Sequence, residues 1–341
     1  TILLCKAACT AAAALRSLSG RSYTVRVAQP HMSISDEDRF SFDLNGFIVV
    51  RNVLTAEELA SANAAVDAHA AGLHARGPGL RNAKDGTQLS ASGPRLDMGG
   101  MLYWPSPHCD VFRQVLVHPK LVPFYTALCG EGYRLDHQPL LIVQDRESEG
   151  FSLHGGPVSS DGRFNPELQY RCDARGDMWT SLLAVSIQLC DHRPGDGGFC
   201  VMRGSHKLNL PVPADLASGA SAAFSEHIHQ PVTKAGDVVI WSEATVHGAT
   251  PWKADHQRRI ALYRFAPCNM GYGRGYTEVA TELVAGLSER QRAVLEPPYS
   301  TRLERPLVTS REAELDGRPT KKLRSSAKKE LDRKLFGTTY F

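Results

Sequence analysis

Two histidines in unequal surroundings are the residues of this chain best placed to do chemistry: Leu153-His154-Gly155-Gly156-Pro157 and Val246-His247-Gly248. Two imidazoles and one carboxylate on one face form the facial triad that holds Fe(II) and leaves its other positions open. An Asp or Glu two residues after the first histidine would complete such a set, and Gly156 stands there instead. The pattern therefore reads as such a site with one half present and a gap in the other.

The elements that must position these residues are legible around them. Phe42-Asp43-Leu44-Asn45-Gly46-Phe47-Ile48-Val49-Val50 reads as a turn entering a short strand, and Thr55-Ala56-Glu57-Glu58 as a capping box opening an Ala-rich helix that ends near Gly72. A helical pair follows through Phe112, Val115 and Leu116, breaks at Pro119 and resumes from Leu121 to Gly130. From about residue 135 to 266 short β-rich runs alternate with Gly, Pro and Asp: Leu140 to Val143, Ser181 to Leu189, Gly198 to Met202, Asp237 to Trp241 and Ile260 to Phe265. That pattern predicts an antiparallel sandwich or barrel. Helical text returns at Leu287 to Leu295, so the expected class is α+β, mainly β, with helices around a central sandwich.

With 341 residues, 42% of them hydrophobic, the chain can bury one large core. The expected organisation is a leader over 1–31, a catalytic domain over 32–305 and a charged, net basic tail over 306–341. The leader holds Lys6, Arg16, Arg21 and Arg26 and no acid before Asp36, which suits an organellar (for example mitochondrial) transit peptide as well as it suits a stray leader. Without a transit function the expectation is a cytoplasmic protein. The basic charge is concentrated between Arg318 and Lys334, leaving the body slightly acidic, so no nucleic-acid partner is expected. Eight scattered cysteines form no CxxC and suggest neither a zinc site nor a disulfide framework, which fits a reducing, intracellular compartment. No run is long and apolar enough to span a bilayer.

Several pieces, taken in order, carry a resemblance. They are Phe42 to Val50 with the helix from Thr55; Asp196-Gly197-Gly198-Phe199 followed by Arg203-Gly204-Ser205-His206; Gly236-Asp237 with His247-Gly248; and Arg258, eleven residues after His247. Over residues 40 to 266 the chain resembles the phytanoyl-CoA dioxygenase-like Fe(II)/2-oxoglutarate oxygenases. The resemblance implies a double-stranded β-helix (jelly-roll, cupin-like) core. It also implies Fe(II) held by His154 and His247, and Arg258 as the anchor of 2-oxoglutarate. A planar guanidinium suits that task because it can grip a carboxylate with two parallel hydrogen bonds. Arg258 and Arg259 point to opposite faces of a strand, and the family spacing favours Arg258. Gln188, on the same face of its strand as Ser186, is a further candidate contact for the co-substrate.

Three departures from the family pattern stand out: Gly156 in place of the carboxylate, Ala249 where relatives often carry Ser or Thr, and Arg203 before Gly-Ser-His. The first leaves three readings open. Iron could sit on two histidines with an open position at Gly156, filled by a halide such as chloride as in halogenases of this superfamily. Glu243, four residues before His247, could supply the third ligand; a regular strand would hold it about 13 Å away, so this needs a bend. Or the barrel has lost its metal and serves as a scaffold or subunit. The open site is preferred, because it asks nothing special of the backbone. The implied activity is hydroxylation of a small organic substrate by O2, coupled to decarboxylation of 2-oxoglutarate. His206 is assigned a structural role. His108, His137, His192, His227, His229 and His256 are expected at the surface, and Tyr299 in packing.

Overall fold

The computed structural model describes residues 34–77, 83–272 and 281–298, together with two two-residue strands, Pro306–Leu307 and Thr320–Lys321. The leader, Tyr299 and the remainder of the basic tail lie outside the described residues.

Helix α1 (Asp36–Asn45) opens the domain, where the sequence suggested only a turn through Phe42 to Asn45. Ser35 caps it and Asp38 reaches back, a Ser-x-x-Asp box that passes easily for loop text. Strand β1 (Phe47–Val50) and helix α2 (Ala56–Ala68) follow, the latter with the Thr55/Glu58 box in place. Such a cap stabilises by about 1 kcal/mol. The expected helical pair is α3 (Asp110–Gln114) and α4 (Val122–Cys129), ended by Gly130.

The remaining strands are β2 (His74–Ala75), β3 (Leu96–Met98), β4 (Arg134–Gln144), β5 (Phe151–His154), β6 (Tyr170–Cys172), β7 (Met178–Thr180), β8 (Leu183–Gln188), β9 (Gly198–Val201), β10 (Val238–Ser242), β11 (His247–Thr250) and β12 (Arg258–Ala266). A seven-stranded sheet runs β1-β10-β8-β12-β4-β3-β2, and a three-stranded sheet runs β5-β11-β9. Every ladder among them is antiparallel.

The two faces of the large sheet have different tasks, set by the two-residue period of its strands. On β12, Ala261, Tyr263 and Phe265 join the main core with the helices. Ile260 and Leu262 turn the other way, into a smaller cluster with Ile142, Trp241 and Val201. Arg258 and Arg264 share that second phase, which puts two guanidiniums on the inner face of the jelly roll. The six described cysteines are all free thiols, and no described helix is long and apolar enough to cross a membrane.

Candidate active site

Strands β5 and β11 pair so that His154 stands opposite His247, with ring centroids 4.2 Å apart. Each histidine directs Nδ1 at a backbone carbonyl two residues earlier: His154 at Ser152 (3.0 Å), His247 at Thr245 (2.8 Å). A carbonyl can only accept, so Nδ1 carries the hydrogen and Nε2 keeps its lone pair, the arrangement usual for metal-binding imidazoles.

Glu243 completes the cluster. After β10 the chain does not continue as a strand. It turns at Glu243-Ala244, where the Ser242 carbonyl accepts from Thr245 N (2.8 Å) and the Ser242 hydroxyl from Ala244 N (3.2 Å). Thr245 Oγ1 ties the turn to the Gly46 carbonyl, and Val246 N donates to Ser205 Oγ. The result is that His154, Glu243 and His247 each offer a ligand atom, all within 4.8 Å of one another. This corrects the preference for an open site: the bend that Glu243 requires is present.

Electrostatics suits these three groups to a cation. Glu243 Oε1 accepts from Arg264 Nε at 2.8 Å, while Oε2 lies 3.5 Å from His247 Nε2. Burial pushes this carboxyl up, but Arg264 and the two imidazoles outweigh it and bring it to about 2. Burial pulls His247 down to about 4, helped by neighbouring His154 and opposed by Glu243. At neutral pH an ionised carboxylate thus faces an unprotonated nitrogen. Two electron-pair donors in contact repel unless a positive ion lies between them, and metal binding needs both in these forms.

Gly156 is elsewhere. A Cβ there would meet Val246 Cγ2 at 3.1 Å and the Val158 carbonyl at 3.9 Å, with neither histidine within 4 Å. Among the described residues Gly156 does not line the cavity beside the cluster, which corrects its assignment as a halide position. With Glu243 in the cluster, the halide and metal-free readings lose the missing carboxylate on which both rested.

That cavity, of about 210 Å³, takes in both histidines, Arg258 and Arg264. Arg258 is buried, with Nη1 donating to Gln144 Oε1 (2.6 Å) and Nε to His192 Nε2 (3.1 Å). Gly198 makes room for it, since a Cβ there would lie 2.8 Å from Arg258 Nε. No carboxylate of the described residues pairs with this guanidinium, and burial lowers it to about 10. Arg259 faces outward, as expected, to Asp67 and Asn63.

Other expectations need correcting. Gln188 is buried on the inner face but does not line the cavity, and its amide is spent on Ser186 O and Oγ. Gln144, brought beside Arg258 by the β4–β12 register, is the glutamine that lines it. His192, expected at the surface because Asp-His-Arg-Pro-Gly reads as a turn, is buried with burial lowering it to about 3, so it accepts from Arg258. His206 is structural as expected, donating Nε2–H to the Asp43 carbonyl. Sequence reasoning missed Arg264, although the two-residue period from Arg258 marks its face, and Trp241, a cavity-lining residue whose buried indole N–H has no partner among the described residues.

The comparisons bear on the fold and the family. No curated protein sequence matches the chain. Among solved structures, HygX from Streptomyces hygroscopicus with nickel, 2-oxoglutarate and hygromycin B bound superposes with a TM-score of 0.57 at 20% identity, covering 73% of this chain and 94% of HygX. Its iron-bound form gives 0.54 at 18% identity, covering 74% and 94%. The non-heme alpha-ketoglutarate-dependent carbocyclase SnoK from nogalamycin biosynthesis gives 0.50 at 17%, covering 81% and 97%. At these identities the likeness is one of fold. The profile of the phytanoyl-CoA dioxygenase (PhyH) family matches residues 42–260, well over half of the chain. The chain therefore belongs to the phytanoyl-CoA dioxygenase family of Fe(II)/2-oxoglutarate-dependent enzymes.

Proposed function

We propose that this protein oxidises a small organic substrate with O2 and 2-oxoglutarate, using His154, His247 and Glu243 to hold Fe(II) and Arg258 to hold 2-oxoglutarate. The observation that carries this reading is the turn that sets a buried, ionised Glu243 against two imidazoles with free Nε2 lone pairs. Bound Fe(II) supplies the O2 chemistry, and decarboxylation of 2-oxoglutarate to succinate provides its electrons. The chain's own part is to bind, orient and shield. Ser152 and Thr245 carbonyls fix the ring orientations. Arg264 holds one oxygen of Glu243, leaving the other turned toward His247. Arg258, partnered only by neutral groups, offers an unspent positive charge to the far carboxylate of the co-substrate. Phe199 and Trp241 pack beside His247, with centroids 6.0 and 5.2 Å away, and keep water from that side. The hydroxylase reading is preferred over halogenation because a protein carboxylate, not an open position, completes the cluster.

Anaerobic titration with Fe(II) and then 2-oxoglutarate, followed by visible absorption, tests it. The wild type should develop the charge-transfer band of the chelate. Glu243→Ala should lose iron. Arg258→Lys should keep iron but weaken 2-oxoglutarate about ten- to a hundredfold, the worth of a charge-assisted hydrogen bond. Full iron content in Glu243→Ala would sink the assignment.

A further inference from the structure

Two more arginines line the same cavity, and the site assigned above does not use them. Arg76 follows β2 and Arg95 precedes β3, so the antiparallel register that pairs His74 with Asp97 and Ala75 with Leu96 sets the two directly opposite one another. Arg76 N–H also donates to the Arg95 carbonyl at 3.1 Å. Like charges opposite each other across strands are destabilising. One carboxylate serves both: Asp97 Oδ2 accepts from Arg76 Nε (2.7 Å), and Arg95 grips Asp97 side-on through Nε (2.8 Å) and Nη2 (2.9 Å). Among the described residues this leaves both Nη groups of Arg76 and Nη1 of Arg95 without an acceptor. Both guanidiniums lie 5.4 Å from the centroid of Phe151, whose ring is 5.0 Å from that of His154. One aromatic ring therefore separates the doubled cation from the metal cluster.

Charge counting points the same way. Among the described residues, four guanidiniums, Arg76, Arg95, Arg258 and Arg264, line the cavity, and the carboxylates of Asp97 and Glu243 accept from three of them, leaving Arg258 without one. Fe(II) and a 2-oxoglutarate dianion would cancel each other.

Resting on the proposed function, we infer that the oxidised substrate is a short anion, and that Arg76 and Arg95 bind its carboxylate or phosphate while its apolar part packs on Phe151 beside the reacting centre. A forked pair of guanidiniums matches either oxyanion.

Calorimetry of the Fe(II)/2-oxoglutarate-loaded protein with butyrate, ethyl phosphate and neutral butyramide tests this, repeated on R76Q, R95Q and R258Q and, for each, without iron and 2-oxoglutarate. At least one anion should bind more tightly than butyramide, and R76Q and R95Q should each weaken it about tenfold or more while iron and 2-oxoglutarate binding stays unchanged. Preference for butyrate or for ethyl phosphate identifies the oxyanion, and either supports the inference. Equal binding of butyramide, no binding of either anion, or unchanged anion affinity in both variants overturns it. So does loss of 2-oxoglutarate binding in R76Q, which would make the pair a co-substrate anchor. Failure of the wild type to take up iron would overturn the proposed function alone. Anion binding without iron that survives R258Q but not R76Q would then still assign the subsite.

Discussion

The two histidine segments of the cluster are built in opposite ways. His154 ends an edge strand, is exposed, and is followed by two glycines and a proline. His247 is buried, and the turn before it is held by Ser242, Thr245, Ser205 and Gly46. The family pattern places the carboxylate on the first segment, whereas here a carboxylate stands on the second. A metal responds to where donor atoms lie and not to the order in which the chain supplies them. A well-tethered turn can therefore take over a ligand that the neighbouring segment has lost. On the proposed ligand set the buried carboxylate needs compensation, and Arg264 lies beside it.

The comparison breaks most visibly if either histidine is dispensable. His154→Ala and His247→Ala should each abolish Fe(II) binding by metal analysis, whereas His206→Ala, which loses the bond to Asp43 and the edge contact with Tyr170, should retain it in whatever fraction remains folded. Equal loss in a folded His206→Ala would mean the metal face is misassigned.

Next comes the attempt to move the carboxylate back. Gly156→Asp should not restore iron to Glu243→Ala, because the new side chain starts 3.1 Å from Val246 at a φ of +94°. It should also destabilise the protein by about 1–3 kcal/mol. Recovery of iron in the double variant would show that the first segment still holds a usable ligand position.

Smaller is the effect of the group that supports Glu243. Arg264→Met should weaken Fe(II) about 10- to 100-fold, typical for a partner that orients a ligand. Arg264→Lys should recover part of it. An unchanged affinity in Arg264→Met would leave the relocated carboxylate without need of compensation.

Acid should loosen the second segment through His206. Its ring is buried, Nδ1 has no partner among the described residues, and burial lowers it to about 4. The folded ring stays neutral down to about pH 4, while in the unfolded chain it protonates near the ordinary value of about 6.5. Between those values the unfolded state binds more protons. Stability should therefore be full above about 6.5 and fall by up to about 1.4 kcal/mol per pH unit as pH drops toward 4, with no further loss below. Urea denaturation of the wild type and His206→Gln from pH 7 to 4 checks it: the variant should show the shallower slope.

Much of this was legible in the residues themselves. Strand text between residues 135 and 266, the Thr55 capping box and the order of the motifs specify the jelly roll, because each rests on local periodicity or turn chemistry. His154, His247 and Arg258 follow from the family resemblance and its spacing, whereas alternation puts Arg258 and Arg259 on opposite faces without choosing between them. The same alternation would have delivered Arg264. Gln144 and His192 were out of reach, since only the β4–β12 register and the packing of the β8–β9 connection bring them to Arg258.

The sequence by itself determined the family, the sandwich and two of the three candidate ligands. The third candidate, Glu243, comes within reach of the histidines only in the tertiary structure. Whether Glu243 lies a strand's length from His247 or folds back against it depends on the turn at Ser242-Glu243-Ala244, and two of the bonds that hold that turn in place come from Gly46 and Ser205. Those partners are distant in sequence, so no local pattern around Glu243 records them. Its ionisation is favoured likewise by Arg264 on β12, two strands over from the β10 that precedes the turn. A side-chain cluster made by long-range hydrogen bonds is visible only when the chain is folded.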